Sequence, residues 1–430
     1  MSIENPASDR PSRVPGVRRR TLLMSAAAAT VAGVGVRPEA AGAAAPWYVP
    51  AFQAMVAGDP DVRQHNVSGT RYWYRPRQLL VAPADATRVL SRLTADGRLG
   101  FVDGGFAGVT RLRFPAEVEI PSLVDDLRNP ARWPGASVPV VQPHHVVFGN
   151  PNVMGNPTGP PSAAPPVAAP AAGTLGDGAG IRVGICDTGI WAAAGQRHPV
   201  WFAGSYVAKN TDLDPVYAAG NTLALQGGHG TFVAGVLRQA APGVQFDPSV
   251  ALSPAGVGDE QSVATALAGL HPSVALVNLS LGCFTHRDVP SLPMANALAA
   301  VPSGAVVVAS AGNSGVTRPT WPAAFPGVVA VAALDLTSVP ATYSNSGPWV
   351  DLCAIGDRTA PYVAGNVVPP GQPAETIAGF ARWAGTSFAA PYVAGRIATL
   401  MTTTGVDARS AVSTLLAGPR PFAGFGAIVG

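Results

Sequence analysis

Val183-Gly184-Ile185-Cys186-Asp187-Thr188-Gly189-Ile190 opens as an apolar run and ends on an acid followed by a glycine turn. The run at 181–185 is short, β-branched and apolar, and it is repeated in kind at 275–279, 305–310 and 328–333. Runs of this type suit strands buried on both faces of a parallel sheet. Between them, 231–239, 262–270 and 294–301 suit helices. The alternation predicts a doubly wound, mostly parallel α/β domain whose working groups sit on loops at the carboxyl ends of the strands.

Composition agrees with a globular chain. Of 430 residues, 47% are hydrophobic and 12% charged, which excludes wholesale disorder. A formal net charge of +3 leaves no electrostatic footprint for nucleic acid. Cys186, Cys283 and Cys353 are too few and too scattered for a disulfide framework or a CxxC metal site. The 49 glycines and 43 prolines predict abundant loops.

Outside that domain the chain divides into three parts. Residues 1–45 carry Arg18-Arg19-Arg20-Thr21-Leu22-Leu23, an apolar run to Val36 and then small residues, with cleavage expected after Ala43 or Ala45. This is the pattern of an export signal, similar to the twin-arginine type. The apolar run of about 15 residues falls short of the ~20 that span a bilayer, so membrane contact is expected only through an uncleaved signal. Residues 151–174 are rich in Pro, Ala and Gly and uncharged, and predict an extended, protease-accessible tether. It separates a small region, 46–150, from the large one, 175–430. In the small region, strands at 78–82, 100–103, 109–114 and 138–148 alternate with helices after Asp85, a candidate cap, and at 121–128. The order βαββαβ is the ferredoxin-like pattern.

Two more blocks fall at loops of the large region. Gly228-His229-Gly230-Thr231-Phe232-Val233-Ala234-Gly235 puts a histidine at a helix start between glycines, and Gly385-Thr386-Ser387-Phe388-Ala389-Ala390-Pro391 puts a serine at another. A serine hydroxyl needs an adjacent base to act as a nucleophile, imidazole is suited to that task, and a carboxylate orients the imidazole and stabilises its cation. Asp187, His229 and Ser387 supply the three types, in the order Asp, His, Ser found in subtilisin.

From about residue 181 to the end, the chain thus resembles a subtilisin-like serine protease. The resemblance implies an endopeptidase made as a zymogen, acting on polypeptides through an acyl-enzyme. It assigns an oxyanion-hole role to Asn313, in Val306-Val307-Val308-Ala309-Ser310-Ala311-Gly312-Asn313-Ser314-Gly315, together with the backbone N–H of Ser387. Ser280, Leu281 and Gly282 match the cleft edge that pairs with substrate backbone; Ala311 and Gly312 match the opposite wall and Thr320 the floor of the pocket before the cut. None carries a charge, so an apolar or small residue is expected there. The small region resembles the family's propeptide, a folding aid and cleft cap that is expected to be this chain's own partner, with a maturation cut within 150–175. Tyr343-Ser344-Asn345-Ser346-Gly347-Pro348-Trp349-Val350-Asp351 and Thr320-Trp321-Pro322-Ala323 are similar to mycosin-type members. The closing residues 424–430 resemble the last strand of the catalytic domain, with no anchor expected after it.

The chemistry calls for no cofactor. Structural calcium is frequent in the family, but no run of acids identifies a site, and Asp177, Asp212, Asp214 and Asp247 read as solvated loop acids. The cysteines read as small buried apolar residues. The alternative reading is a catalytically silent relative that binds peptides or organises an envelope complex.

Overall fold

The computed structural model describes residues 48–67, 70–149, 159–206, 213–369, 371 and 373–430. The export-signal reading at 1–45, the first part of the tether and Asp212 lie outside them. Among the described residues no helix is long and apolar enough to cross a membrane.

The large domain is built on a seven-stranded sheet in the order Gln245–Val250, Arg182–Asp187, Leu276–Leu279, Val306–Ser310, Val328–Leu334, Leu352–Ile355 and Ala427–Ile428. Every neighbouring pair is parallel. Its strands face two cores by simple alternation. Val183, Ile185, Val306 and Val308 pack under the helices His229–Ala240 and Thr386–Thr404, whereas Cys186, Val307 and Ala309 pack with Glu260–Ala268 and Leu292–Ala299. Helices on both faces explain why these strands read as unbroken apolar runs. Two elements were invisible to that reading. Gln245–Val250 contains Asp247 and Pro248, which an edge strand tolerates. The hairpin Asp357–Val367 with Glu375–Ala384 is an antiparallel pair outside the main sheet.

The small domain has the expected order. Thr70–Val81, Phe101–Phe106, Val109–Arg113 and Val141–Phe148 pair antiparallel, with Ala86–Ala95 and Ile120–Leu127 on one face over a core of Leu79, Val89, Leu93, Leu112, Leu123 and Leu127. The first strand is longer than its apolar part, because its start pairs in a hairpin with Arg63–Val67. Asp85 does not cap its helix. Its carboxylate accepts from Arg88 and from the Val140 N–H instead, tying the helix to the last strand.

One correction concerns the seams. The tether is not free along its whole length: Ser162–Ala163 pairs antiparallel with Ala381 and Arg382, and the Trp383 indole donates to the Gly159 carbonyl at 3.2 Å. Pairing and a buried indole hold this part of the tether on the large domain. Val257–Asp259 of the large domain pairs antiparallel with the end of Val141–Phe148, making one sheet out of both domains.

Candidate active site

Asp187 is the last residue of a central strand, His229 the first residue of one helix and Ser387 the second residue of another. The sheet therefore brings three distant blocks to one end. All three side chains are buried. His229 Nδ1 lies 2.7 Å from Asp187 Oδ1, which also accepts the Thr188 N–H at 2.7 Å. The Asp187 carboxylate thus sets the tautomer: Nδ1 carries the proton and Nε2 keeps its lone pair. The imidazole is fixed by rings on its other sides, Trp383 and Phe388, with centroids at 5.2 and 5.4 Å. The link from imidazole to hydroxyl is not closed. His229 Nε2 and Ser387 Oγ are both buried and neither has a hydrogen-bond partner. In serine hydrolases this bond is commonly loose without substrate and tightens as the reaction proceeds.

Helix geometry explains the position of the serine. Pro391 lies four residues beyond Ser387 and has no N–H, so the Ser387 carbonyl loses its helical partner. Ser280 supplies a replacement, its hydroxyl donating to that carbonyl at 2.7 Å, and Asn278 Nδ2 donates in turn to Ser280 at 3.0 Å. Ser280 thus supports the Ser387 backbone with its side chain, beyond the cleft-edge place expected for it.

Asn313 follows the strand Val306–Ser310 and is 2% exposed. Its Oδ1 accepts from both the N–H and the hydroxyl of Thr386, at 2.9 and 2.8 Å. With the oxygen end so held, the Nδ2 end is the donor, beside Gly385 and the first turn that carries Ser387. N–H groups of a first helical turn have no partner within the helix, so the Ser387 N–H is a second donor at the same place.

The pocket residues also come together. Gly312 has φ +101°, and a Cβ there would lie 2.5 Å from Asn345 Nδ2, so only glycine fits. Asn345 Nδ2 donates to the Ala311 carbonyl and to the Thr320 hydroxyl, both at 3.0 Å. Ala311, Gly312 and Thr320 are thereby bound into one wall. Sequence reasoning missed Asn345 and Thr386 as its fasteners, although both stand within quoted blocks.

The segment expected to be the cleft edge is paired within the chain. Phe148 exchanges both backbone hydrogen bonds with Gly282, at 3.0 and 2.9 Å, and the Gly149 N–H donates to the Gly256 carbonyl at 3.0 Å. Val146–Phe148 therefore runs as a strand between Val257–Asp259 and Gly282. Val147 is fully buried in the same cluster as Leu281, Val263 and Leu267. Polar contacts hold the strand at its base. The buried Glu260 carboxylate accepts from the Gln142 amide, the His145 N–H and the His145 ring at 2.9–3.0 Å, and from the Ser291 hydroxyl at 2.5 Å. Burial works against that charge, but His145, His144 and Ser291 outweigh it and hold the carboxyl below its ordinary range. The neighbouring Asp259 takes Arg75 at 2.9 Å. His286 binds Tyr72 and Asp125 of the small domain at 2.8 and 2.7 Å, and the His286 N–H donates to His145.

The sequence predicts solvated loop acids at Asp214 and Asp247, but they are buried, 2% and 7% exposed. Asp247 accepts the His271 N–H, and Asp214 accepts the Gly228 N–H beside His229. No disulfide joins the cysteines, and all three are buried. Among the described residues no group of three or more His, Cys, Asp or Glu side chains gathers as a metal site would.

Residues 178–416 match the subtilase family. Alkaline elastase YaB of Bacillus sp. (strain YaB) is 33% identical over 233 residues, covering 51% of this chain and 53% of its own. Subtilisin Savinase of Lederbergia lenta is 31% identical over 239 residues, covering 51% and 76%. A thermophilic serine proteinase of Bacillus sp. (strain AK1) is 35% identical over 184 residues, covering 40% and 42%. The chain thus spans about half the length of several of the curated relatives it matches. The solved structure of fervidolysin from Fervidobacterium pennivorans, described as a keratinolytic enzyme related to subtilisin, aligns over 87% of this chain and 64% of that one. Its TM-score is 0.55 at 19% identity, a likeness of fold.

Proposed function

The chain belongs to the subtilase family, and from that premise we propose that it is an exported serine endopeptidase, made as a zymogen, that works through Asp187, His229 and Ser387. Polypeptide substrate enters as a strand along Gly282 and Val257–Asp259. Ser387 Oγ attacks the scissile carbonyl while His229 Nε2 takes its proton, and Asp187 stabilises the imidazolium. Charge developing on the carbonyl oxygen meets the Asn313 amide and the Ser387 N–H. The imidazolium then passes the proton to the leaving amine as the C–N bond breaks. Water, activated by the same imidazole, releases the acyl group. No cofactor enters this chemistry. The uncharged wall of Ala311, Gly312 and Thr320 favours an apolar or small residue before the cut.

One observation carries the reading: a charge-held imidazole whose other nitrogen keeps its lone pair in the same buried end of the sheet as an unpartnered serine hydroxyl. The zymogen part is supported by the strand Val146–Phe148, which fills the place a substrate would take. In this reading residues 46–150 are the propeptide and the maturation cut falls within 150–175.

The test is labelling with a fluorophosphonate, which needs an activated serine. Wild type exported by its host is expected to label, and Ser387→Ala is expected not to. A mature wild type that stays unlabelled would establish the silent alternative, and N-terminal sequencing of the exported form locates the cut.

A further inference from the structure

We propose that Asp214 is a positioning residue of this active site, holding the strand end that carries Asp187 against the helix start that carries His229. The inference rests on the triad reading above. Asp214 closes the short strand Leu213–Asp214, which pairs parallel with Ile190–Trp191 just beyond the Asp187 turn. It is 2% exposed. Its Oδ2 accepts from the Thr188 hydroxyl at 2.6 Å and from the Gly228 N–H at 2.7 Å, and its Oδ1 accepts the Val216 N–H at 2.9 Å.

Those partners are the chain neighbours of the triad. Thr188 follows Asp187, and its N–H donates to the Asp187 oxygen that binds the imidazole. Gly228 precedes His229 in a left-handed conformation, φ 84°. The Thr188 hydroxyl, having given its proton to Asp214, accepts the Gly230 N–H at 3.0 Å. One carboxylate therefore fastens the backbone on both sides of His229 to the residue beside Asp187. Asp187 has no second anchor of this kind, since its Oδ2 has no hydrogen-bond partner.

All three groups facing Asp214 are donors, which requires an acceptor-only side chain. An amide in its place turns its NH₂ either toward Thr188 and Gly228 or toward Val216, and one donor is left facing another. Burial pushes the carboxyl up to about 6; the three hydrogen bonds oppose this and the Asp187 charge adds to it. Arg75 and Asp259 line the neighbouring cavity with Thr188 and Leu213, but they pair with each other.

The experiment compares Asp214→Asn, Thr188→Val and Thr188→Ser in the full chain exported as it is made, by hydrolysis of a peptide nitroanilide and by the rate of fluorophosphonate labelling across pH. Misplacement of reacting groups by an ångström costs about 10²-fold. Asp214→Asn and Thr188→Val are expected to lower kcat by about 10–100-fold with KM within about twofold. Thr188→Ser, which keeps the hydroxyl, is expected to restore most of the rate. Unchanged kcat overturns the inference, as does a Thr188→Ser no better than Thr188→Val. If Asp214→Asn does not fold, the Thr188 pair decides. A wild type that neither labels nor hydrolyses marks failure of the triad reading itself, and this inference falls with it.

Discussion

Ser280→Ala isolates how a proline inside the nucleophile's helix is tolerated. Pro391 leaves the Ser387 carbonyl without its N–H, and the Ser280 hydroxyl replaces it at 2.7 Å. Ser280 and Asn278 are fully buried and Ser387 is 2% exposed, so water does not substitute for the lost hydroxyl. Truncation strands two groups, the Ser387 carbonyl and the Asn278 amide that donates to Ser280. A buried polar group left unpaired costs about 1–3 kcal/mol, so the pair predicts a loss of roughly 2–6 kcal/mol. For a domain of this size that lowers Tm by on the order of 10 °C. Pro391→Ala supplies the missing check, because alanine restores an N–H that closes on the Ser387 carbonyl. In a double-mutant cycle read by thermal unfolding, Ser280→Ala is expected to cost about 1–2 kcal/mol less in the Pro391→Ala background than in wild type. Additivity within about 0.5 kcal/mol would refute the exchange of partners, as would a Ser280→Ala variant as stable as wild type.

Asn313→Ala is expected to lower kcat by about 10²–10³-fold with little change in KM, measured by steady-state kinetics; a drop below about fivefold would remove the oxyanion role. The grip of the small domain is expected to weaken with acid. Glu260, Asp259 and Asp125 are all held below their ordinary range in the docked state, so their contributions are complete above about pH 4.5 and fade as pH falls through the lowered values. Burial lowers His286 as well, so its contribution begins to fade below pH 6.5, with the same sign. Amide-exchange protection of Val147 and Phe148 in the Ser387→Ala chain should therefore fall from pH 7.5 to pH 4, and constant protection would contradict this. Burial pushes the Cys353 thiol up to about 12 and Cys283 well above its ordinary value. The native protein should resist alkylation at pH 8 and react at three thiols once unfolded, as counted by mass.

The parallel sheet and the three blocks that hold Asp187, His229 and Ser387 are legible because each is local. A strand buried on both faces is written as an apolar run, and Asp187, His229 and Ser387 stand in short glycine-rich turns at its end. Gln245–Val250 was not legible, since an edge strand need not be apolar. Asp214 was misread for a related reason. Nothing near it in the chain distinguishes a solvated acid from one buried under three donors that come from residues 188, 216 and 228. The tether was misread because its pairing partners, Ala381 and Arg382, lie more than 200 residues away.

From its residues alone this chain determines its sheet, its order of chemical groups and its family, because these depend on period, turn chemistry and residue type. Only the tertiary structure decides that Ser280 substitutes for a helical N–H, that Asn345 and Thr386 fasten Ala311 and Asn313, and that Val146–Phe148 lies as a strand between Gly282 and Val257–Asp259. Each of these is a hydrogen bond between backbones or side chains distant in sequence. Such bonds exist because burial makes an unpaired polar group costly, and which groups become neighbours is settled only when the sheet has closed around them.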